Sequence, residues 1–177
     1  SEVNTVSRVL VTVPVALVAV VATSWVWSRT HPHVIRTERV IDAPPERVWP
    51  VLEANERWSE WNPSIVRSRG RFVEGGTVTN TVRSGDGSMT FTPRVLAVEP
   101  DRELRWSGTY YVRGLADGEH SFVLEPLAGR RTRLVQEERF VGALVPFAGR
   151  TLDLEDDFEA VNEALARRVE ADVPSTP

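Results

Sequence analysis

The segment GEHSFVLEPLAGRRTRLVQEERF, residues 118–140, alternates apolar and polar side chains on both sides of LAGR (127–130), which reads as a hairpin loop. His120, Phe122 and Leu124 share one face of its first strand. Closing the loop so that Leu124 meets Leu134 sets Phe122 opposite Gln136 and His120 opposite Glu138. An imidazole, a carboxylate and a carboxamide then arrive on the face that otherwise carries the apolar residues. Buried charge is tolerated only when paired, so His120 and Glu138 are expected to contact each other directly or through water. One reading of the pair is a satisfied polar contact that fixes strand register. The other is a hydrogen-bond anchor for an oxygenated ligand, or a general base that its carboxylate partner makes more basic. No nucleophile or metal set stands beside the pair in sequence, which ranks catalysis second.

Upstream, Met89, Phe91, Pro93, Val95 and Ala97 form one period-two series, and Leu104, Trp106, Gly108 and Tyr110 form another. With EPDR (99–102) as a four-residue loop, Ala97 faces Leu104, Val95 faces Trp106 and Phe91 faces Tyr110, while Tyr111 falls on the opposite side. VIRTERVID (34–42) is strand-like. Pro44 and Pro45 then open a helix, where a missing N–H costs little, with Asp42 or Ala43 at its cap. Val48, Trp49 and Leu52 lie on one face of that helix, and Pro50 should bend or shorten it. In ERWSEWNPSI (56–65), Trp58 and Trp61 stand three apart on a helical turn that Pro63 ends. They serve either as core or as ligand contacts. Arg67, Arg69 and Arg71 alternate along a strand, as a solvated face or as a contact for anionic lipid. Gly75-Gly76 and SGDG (84–87) are turn chemistry, since no helix follows either to make a phosphate loop.

The last element runs from about Arg150 to Ala171. Leu154, Phe158, Val161, Leu165 and Val169 make an amphipathic stripe that must lie on the apolar face of the sheet. At the other end, Val9 to Trp27 is a run without charge, bounded by Arg8 and Arg29. As a helix it is about 28 Å long, close to the ~30 Å hydrocarbon thickness of a bilayer. Trp25 and Trp27 fit an interfacial belt. The run is read as a single-pass anchor, with a cleaved secretory signal as the alternative. One arginine precedes it while Arg29, Arg36 and Arg39 follow, which places the C-terminal domain in the cytoplasm. His31 and His33 have metal-compatible spacing but no carboxylate partner, and read as a polar collar; SRTHPH is the hinge between anchor and domain.

Composition narrows the chemistry. The 177 residues are 41% apolar and 26% charged, a globular profile, and 21 basic against 25 acidic residues leave no basic footprint for nucleic acid. Every basic residue is arginine and cysteine does not occur, so disulfides, thiolate catalysis, cysteine-ligated metal and lysine Schiff bases are excluded.

The order strand, helices, strands, helix, together with APPERVWPVLEANERWSEWNP, MTFTPRVLAVEPDRELRW, DGEHSFVLEP and VGALVPFAGR, resembles the SRPBCC superfamily of START and Bet v 1-like proteins. The likeness is closest to its polyketide cyclase/dehydrase-like branch and covers about Val34 to Glu170. It implies an α+β helix-grip fold. One antiparallel sheet of six or seven strands would curl around the long C-terminal helix, with two short helices after the first strand and a deep cavity between sheet and helix. By position, the cavity wall would include Trp61, Met89, Phe91, Trp106, Tyr110, His120, Phe122, Gln136, Glu138 and Phe158, with Trp58 on the short helices closing one end. The N-terminal apolar run departs from the soluble members. The expected division is 1–29 anchor, 30–172 helix-grip domain and 173–177 disordered tail, with neither cofactor nor metal.

Three functions follow, in order. The first is a membrane-tethered protein that binds a hydrophobic small molecule, lipid or polyketide-like compound, because an apolar pocket with a few polar anchors suits such ligands. The second is a cyclase or dehydratase using His120 and Glu138. The third is an accessory protein that recruits a protein partner to the membrane.

Overall fold

The computed structural model describes residues 2–110 and 112–171. Tyr111, the side chain of Tyr110, the side chains of residues before Val13 and the tail 173–177 lie outside the described residues.

Helix α1 (Glu2–Thr30) contains one stretch, Val13–Thr30, long and apolar enough to cross a bilayer. The valines from Val13 onward face outward, with Val18 68% exposed. The same length and composition describe a signal sequence. Only His31 and Pro32 separate α1 from strand β1 (His33–Ile41), so the expected SRTHPH hinge is mostly helix. His31 stacks on Trp27, whereas His33 Nε2–H donates to the Leu152 carbonyl, so the two imidazoles take separate partners.

Helix α2 (Pro45–Glu53) buries Val48, Trp49 and Leu52 as its spacing requires. Its N-cap is Pro44, and Asp42 instead donates its backbone N–H to Glu170. A 3-10 turn (Asn55–Glu60) follows, and then β2 (Ile65–Arg69), β3 (Thr79–Ser84), β4 (Gly87–Phe91), β5 (Arg94–Glu99), β6 (Glu103–Tyr110), β7 (Ala116–Leu127) and β8 (Arg131–Val141). Short 3-10 turns at Val145–Phe147 and Gly149–Leu152 lead into α3 (Glu155–Ala171). That helix begins five residues later than the sequence suggested, because Gly149 takes a left-handed φ of 52° and the intervening turns are 3-10. Glu155, Asp156 and Asp157 then fill its first turn, where the helix dipole favours negative charge.

Among the described residues the strands number eight in two antiparallel sheets, ordered β1-β8-β7-β6-β5 and β2-β3-β4, rather than six or seven in one. The run 89–97 looks continuous in sequence. Pro93 has no N–H to donate to a ladder, and the chain leaves the sheet there, so β4 and β5 are separate strands. Phe91 accordingly pairs with Asn80 of β3, not with Tyr110. Val95 does face Trp106, but a bulge between Val95 and Ala97 shifts the turn end by one residue and sets Val98 against Leu104. The 118–140 hairpin has the register its alternation demands: Leu124 on Leu134, Phe122 on Gln136, His120 on Glu138.

Helix α3 crosses the concave side of the larger sheet with Phe158, Val161, Leu165 and Val169 buried, and Leu154 partly buried just ahead of it. The result is an α+β helix-grip architecture, with a dense core at the α2 end of the sheet.

Candidate functional site

The inward faces of β6 and β7 change character along their length. Leu104, Phe122 and Leu124 fill one end, whereas Gly108 and Gly118 stand directly opposite each other further along, with Ala116 beyond. Without side chains at 108 and 118 the sheet cannot reach α3. A cavity of about 710 Å³ opens between them, within the ~300–1,000 Å³ range of small-molecule sites.

Nine of the eleven residues expected from sequence stand on the wall, beside others that sequence did not mark. Trp106, Phe122 and Phe158 supply aromatic surface, Met89 and Phe91 come from the smaller sheet, and Trp58 closes the inner end. Trp58 is 2% exposed, with its indole N–H donating to the Leu52 carbonyl at 2.9 Å and its ring packed on Phe72 and Trp106. Trp61 does not line the cavity. It follows the 3-10 turn with φ −135°, outside helical geometry, and stacks edge-on behind Trp58 at 6.3 Å. Its indole N–H is buried without a hydrogen-bond partner among the described residues.

Three of the polar residues on the wall, His120, Gln136 and Glu138, stand on neighbouring strands and are each buried. The carboxylate of Glu138 accepts, so His120 Nδ1–H donates to Glu138 Oε2 at 3.1 Å. The other ring nitrogen is then an acceptor, and Gln136 Nε2–H donates to it at 3.2 Å. Gln136 Oε1 is left buried without a hydrogen-bond partner among the described residues. The imidazole lies flat on Trp106, with centroids 4.6 Å apart and planes 9° apart, and meets Phe158 edge-on at 5.1 Å. Its ring is clamped as well as hydrogen-bonded.

Several wall residues escaped the sequence reading. Asn80 is 1% exposed and reaches the cavity from β3, held by the Ser68 hydroxyl, which donates to its Oδ1 at 2.6 Å; Asn55 in turn donates to Ser68. Leu144, Val145 and Phe147 form a rim from the turns before α3. The strand alternation TNTVRS could have placed Asn80, but nothing periodic marks Phe147.

Away from the cavity, Arg67, Arg69 and Arg71 are exposed. Glu60 accepts from Arg57 Nε and Nη2 at 3.0 and 2.9 Å, with Arg168 of α3 at 3.6 Å. The hydrogen bonds from Arg57 hold its carboxyl below the usual carboxylate range.

A family model described as polyketide cyclase / dehydrase and lipid transport matches residues 32–170. No curated protein matches the chain. Among solved structures, the Zhui aromatase/cyclase from Streptomyces is similar at 20% identity, over 82% of this chain and 98% of that one, with a TM-score of 0.68. A START superfamily protein from Mycobacterium smegmatis is similar at 20% identity over 78% of this chain and 98% of its own, with a TM-score of 0.63. The di-domain aromatase/cyclase BexL is similar at 14% identity over 78% of this chain and 46% of its own, with a TM-score of 0.62. These likenesses carry the fold, and the match over 32–170 carries the kinship: the chain belongs to the polyketide cyclase/dehydrase and lipid transport family.

Proposed function

We propose that this chain is a membrane-tethered binding protein for a hydrophobic small molecule, a lipid or polyketide-like compound that presents a hydrogen-bond donor to Gln136. The observation that carries this is the cavity itself: about 710 Å³, walled by aromatic and aliphatic groups, with a buried acceptor left over. An unpaired buried acceptor costs about 1–3 kcal/mol, and a ligand hydroxyl or amide would recover that. The neighbours named aromatase/cyclases make a polyketide-like guest one chemical class to try. In this reading residues 1–29 serve as the anchor and 30–172 as the binding domain. On the same reading, the arginines after the apolar run favour the cytoplasmic side for that domain.

A cyclase or dehydratase reading is second. It would use His120 as base and Glu138 as its positioning partner. Both ring nitrogens of His120 are already engaged, so proton abstraction requires Gln136 to swing aside. That geometry favours holding a guest over transforming it.

The test is native mass spectrometry of the full chain purified from the membrane fraction and offered a total lipid extract. One adduct per chain is expected, weakened in Gln136→Leu. A chain that leaves the membrane fraction bare and takes up nothing from the extract would end this reading.

A further inference from the structure

The last two turns of α1 are docked on the domain. Ser24 Oγ–H donates to the Ala143 carbonyl at 2.6 Å, and Gly142 N–H donates to Ser28 Oγ at 2.9 Å. Trp25 covers Gly114, where a Cβ would come within 3.6 Å of the indole nitrogen. Residues 142–143 lead straight into the cavity rim, so the same hydrogen bonds that seat α1 also fix where the rim points.

Between α1 and that rim runs an open groove with Val20, Thr23 and Trp27 on one side and Pro146 and Phe147 on the other. Phe147 is 70% exposed and Leu144 47%, and both also line the cavity. An exposed phenylalanine is costly in water, and here it adjoins a helix whose own apolar residues need the same cover. The apolar surface is continuous from α1, across the groove, to the cavity mouth. One covering medium would satisfy all of it, and α1 is long and apolar enough for that medium to be a bilayer.

Depth agrees. Trp25 and Trp27 suit the level of the headgroups. The groove that Phe147 borders begins at Ala19 and Val20, about five residues further into the span, which is about 7 Å at ~1.5 Å per residue. Arg29, just past the tryptophans, stacks its guanidinium over Trp25 at 4.9 Å, and Arg150 lies exposed three residues beyond Phe147; both carry charge suited to lipid phosphates.

We infer that the rim segment 144–148 is embedded in the same leaflet as the end of α1, so that the cavity opens into lipid and not into water. This rests on the reading of α1 as a membrane anchor. It gives the tether a purpose beyond location: a hydrophobic guest passes between bilayer and cavity without crossing solvent. It also makes insertion of the rim intramolecular, since the anchor holds Phe147 at the surface permanently.

The chain has no cysteine, which makes the test direct. Single variants Val18→Cys, Phe147→Cys and Ala128→Cys of the full chain are labelled with an environment-sensitive fluorophore. Each is reconstituted in phosphatidylcholine vesicles with and without lipid carrying a quencher midway along its acyl chain. All three sites are exposed, so labelling disturbs no packing. The expectation is that the labels at 18 and 147 lose most of their emission to the quencher while the label at 128, on the β7–β8 loop, keeps its own. Quenching at 18 without quenching at 147 overturns the proposal and leaves the anchor standing. No quenching at 18 removes the anchor reading and the proposal with it. Quenching at all three sites means that the whole domain lies in lipid, which also contradicts a membrane contact confined to the rim.

Discussion

The two ends of the larger sheet are built from the same strands, in the same register, with opposite results. At one end Leu104, Leu124 and Leu134 meet Leu52, Leu165 and Val169, none more than 2% exposed. At the other end the strands place Gly108, Ala116 and Gly118 toward α3, and the space stays open. No special loop or bulge makes this hollow. Residue size along one face of a period-two pattern makes it, so the boundary between core and cavity can be moved one side chain at a time.

The first way to break the comparison is at the dense end. Leu134→Ala removes a fully buried side chain where neighbours are locked by packing, and should lower stability by about 2–5 kcal/mol. Urea denaturation of the soluble part of the transition would read this as a shifted midpoint at unchanged slope. A loss below 1 kcal/mol would mean that this end is as loose as the other.

Glu138→Ala lies between the two regimes. It leaves His120 Nδ1–H buried with no acceptor, a cost of about 1–3 kcal/mol. Glu138→Gln, which keeps an acceptor oxygen, should recover a large part of that in the same denaturation experiment.

At the hollow end, Gly108→Val should change stability by about 1 kcal/mol or less. Neither Gly108 nor Gly118 has a left-handed backbone, and a Cβ at 108 would meet Phe91 and Pro93 at an ordinary 3.9 Å. Thermal unfolding compared with Leu134→Ala would sharpen the contrast between the ends.

The smallest effect is expected at Glu60, on the solvent side of the tryptophan turn. Its carboxyl titrates below its unfolded value because Arg57 donates to it. The contribution is therefore present above the ordinary carboxylate range and is lost as pH falls through the depressed value. Salt should weaken it as well, since the pair is exposed. Glu60→Gln should flatten this part of the acid limb and leave the neutral-pH midpoint almost unmoved.

How far the sequence could be read depended on periodicity. The 118–140 hairpin could be registered residue by residue because alternation continues on both sides of its turn, and the contact between His120 and Glu138 followed from that register. Helix α3 was legible from its apolar stripe for the same reason. Where periodicity ended, so did the reading. Trp61 looked like a partner of Trp58 on one helical face, but it sits past the end of a 3-10 turn and its backbone turns the ring away. Pro93 split an apparently single strand. Phe147 and Leu144 arrive from short 3-10 turns whose direction is set by the docking of α1 on residues 142–143, a contact between parts of the chain more than a hundred residues apart.

The most direct test of a hollow end that accepts an apolar guest is a fluorescence titration of the parent chain and Gly108→Val with anilinonaphthalene sulfonate. The parent should show saturable, one-site enhancement, and the valine variant should lose it while keeping the parent's far-UV circular dichroism. Equal enhancement in both proteins would contradict a cavity formed where Gly108 and Gly118 face each other.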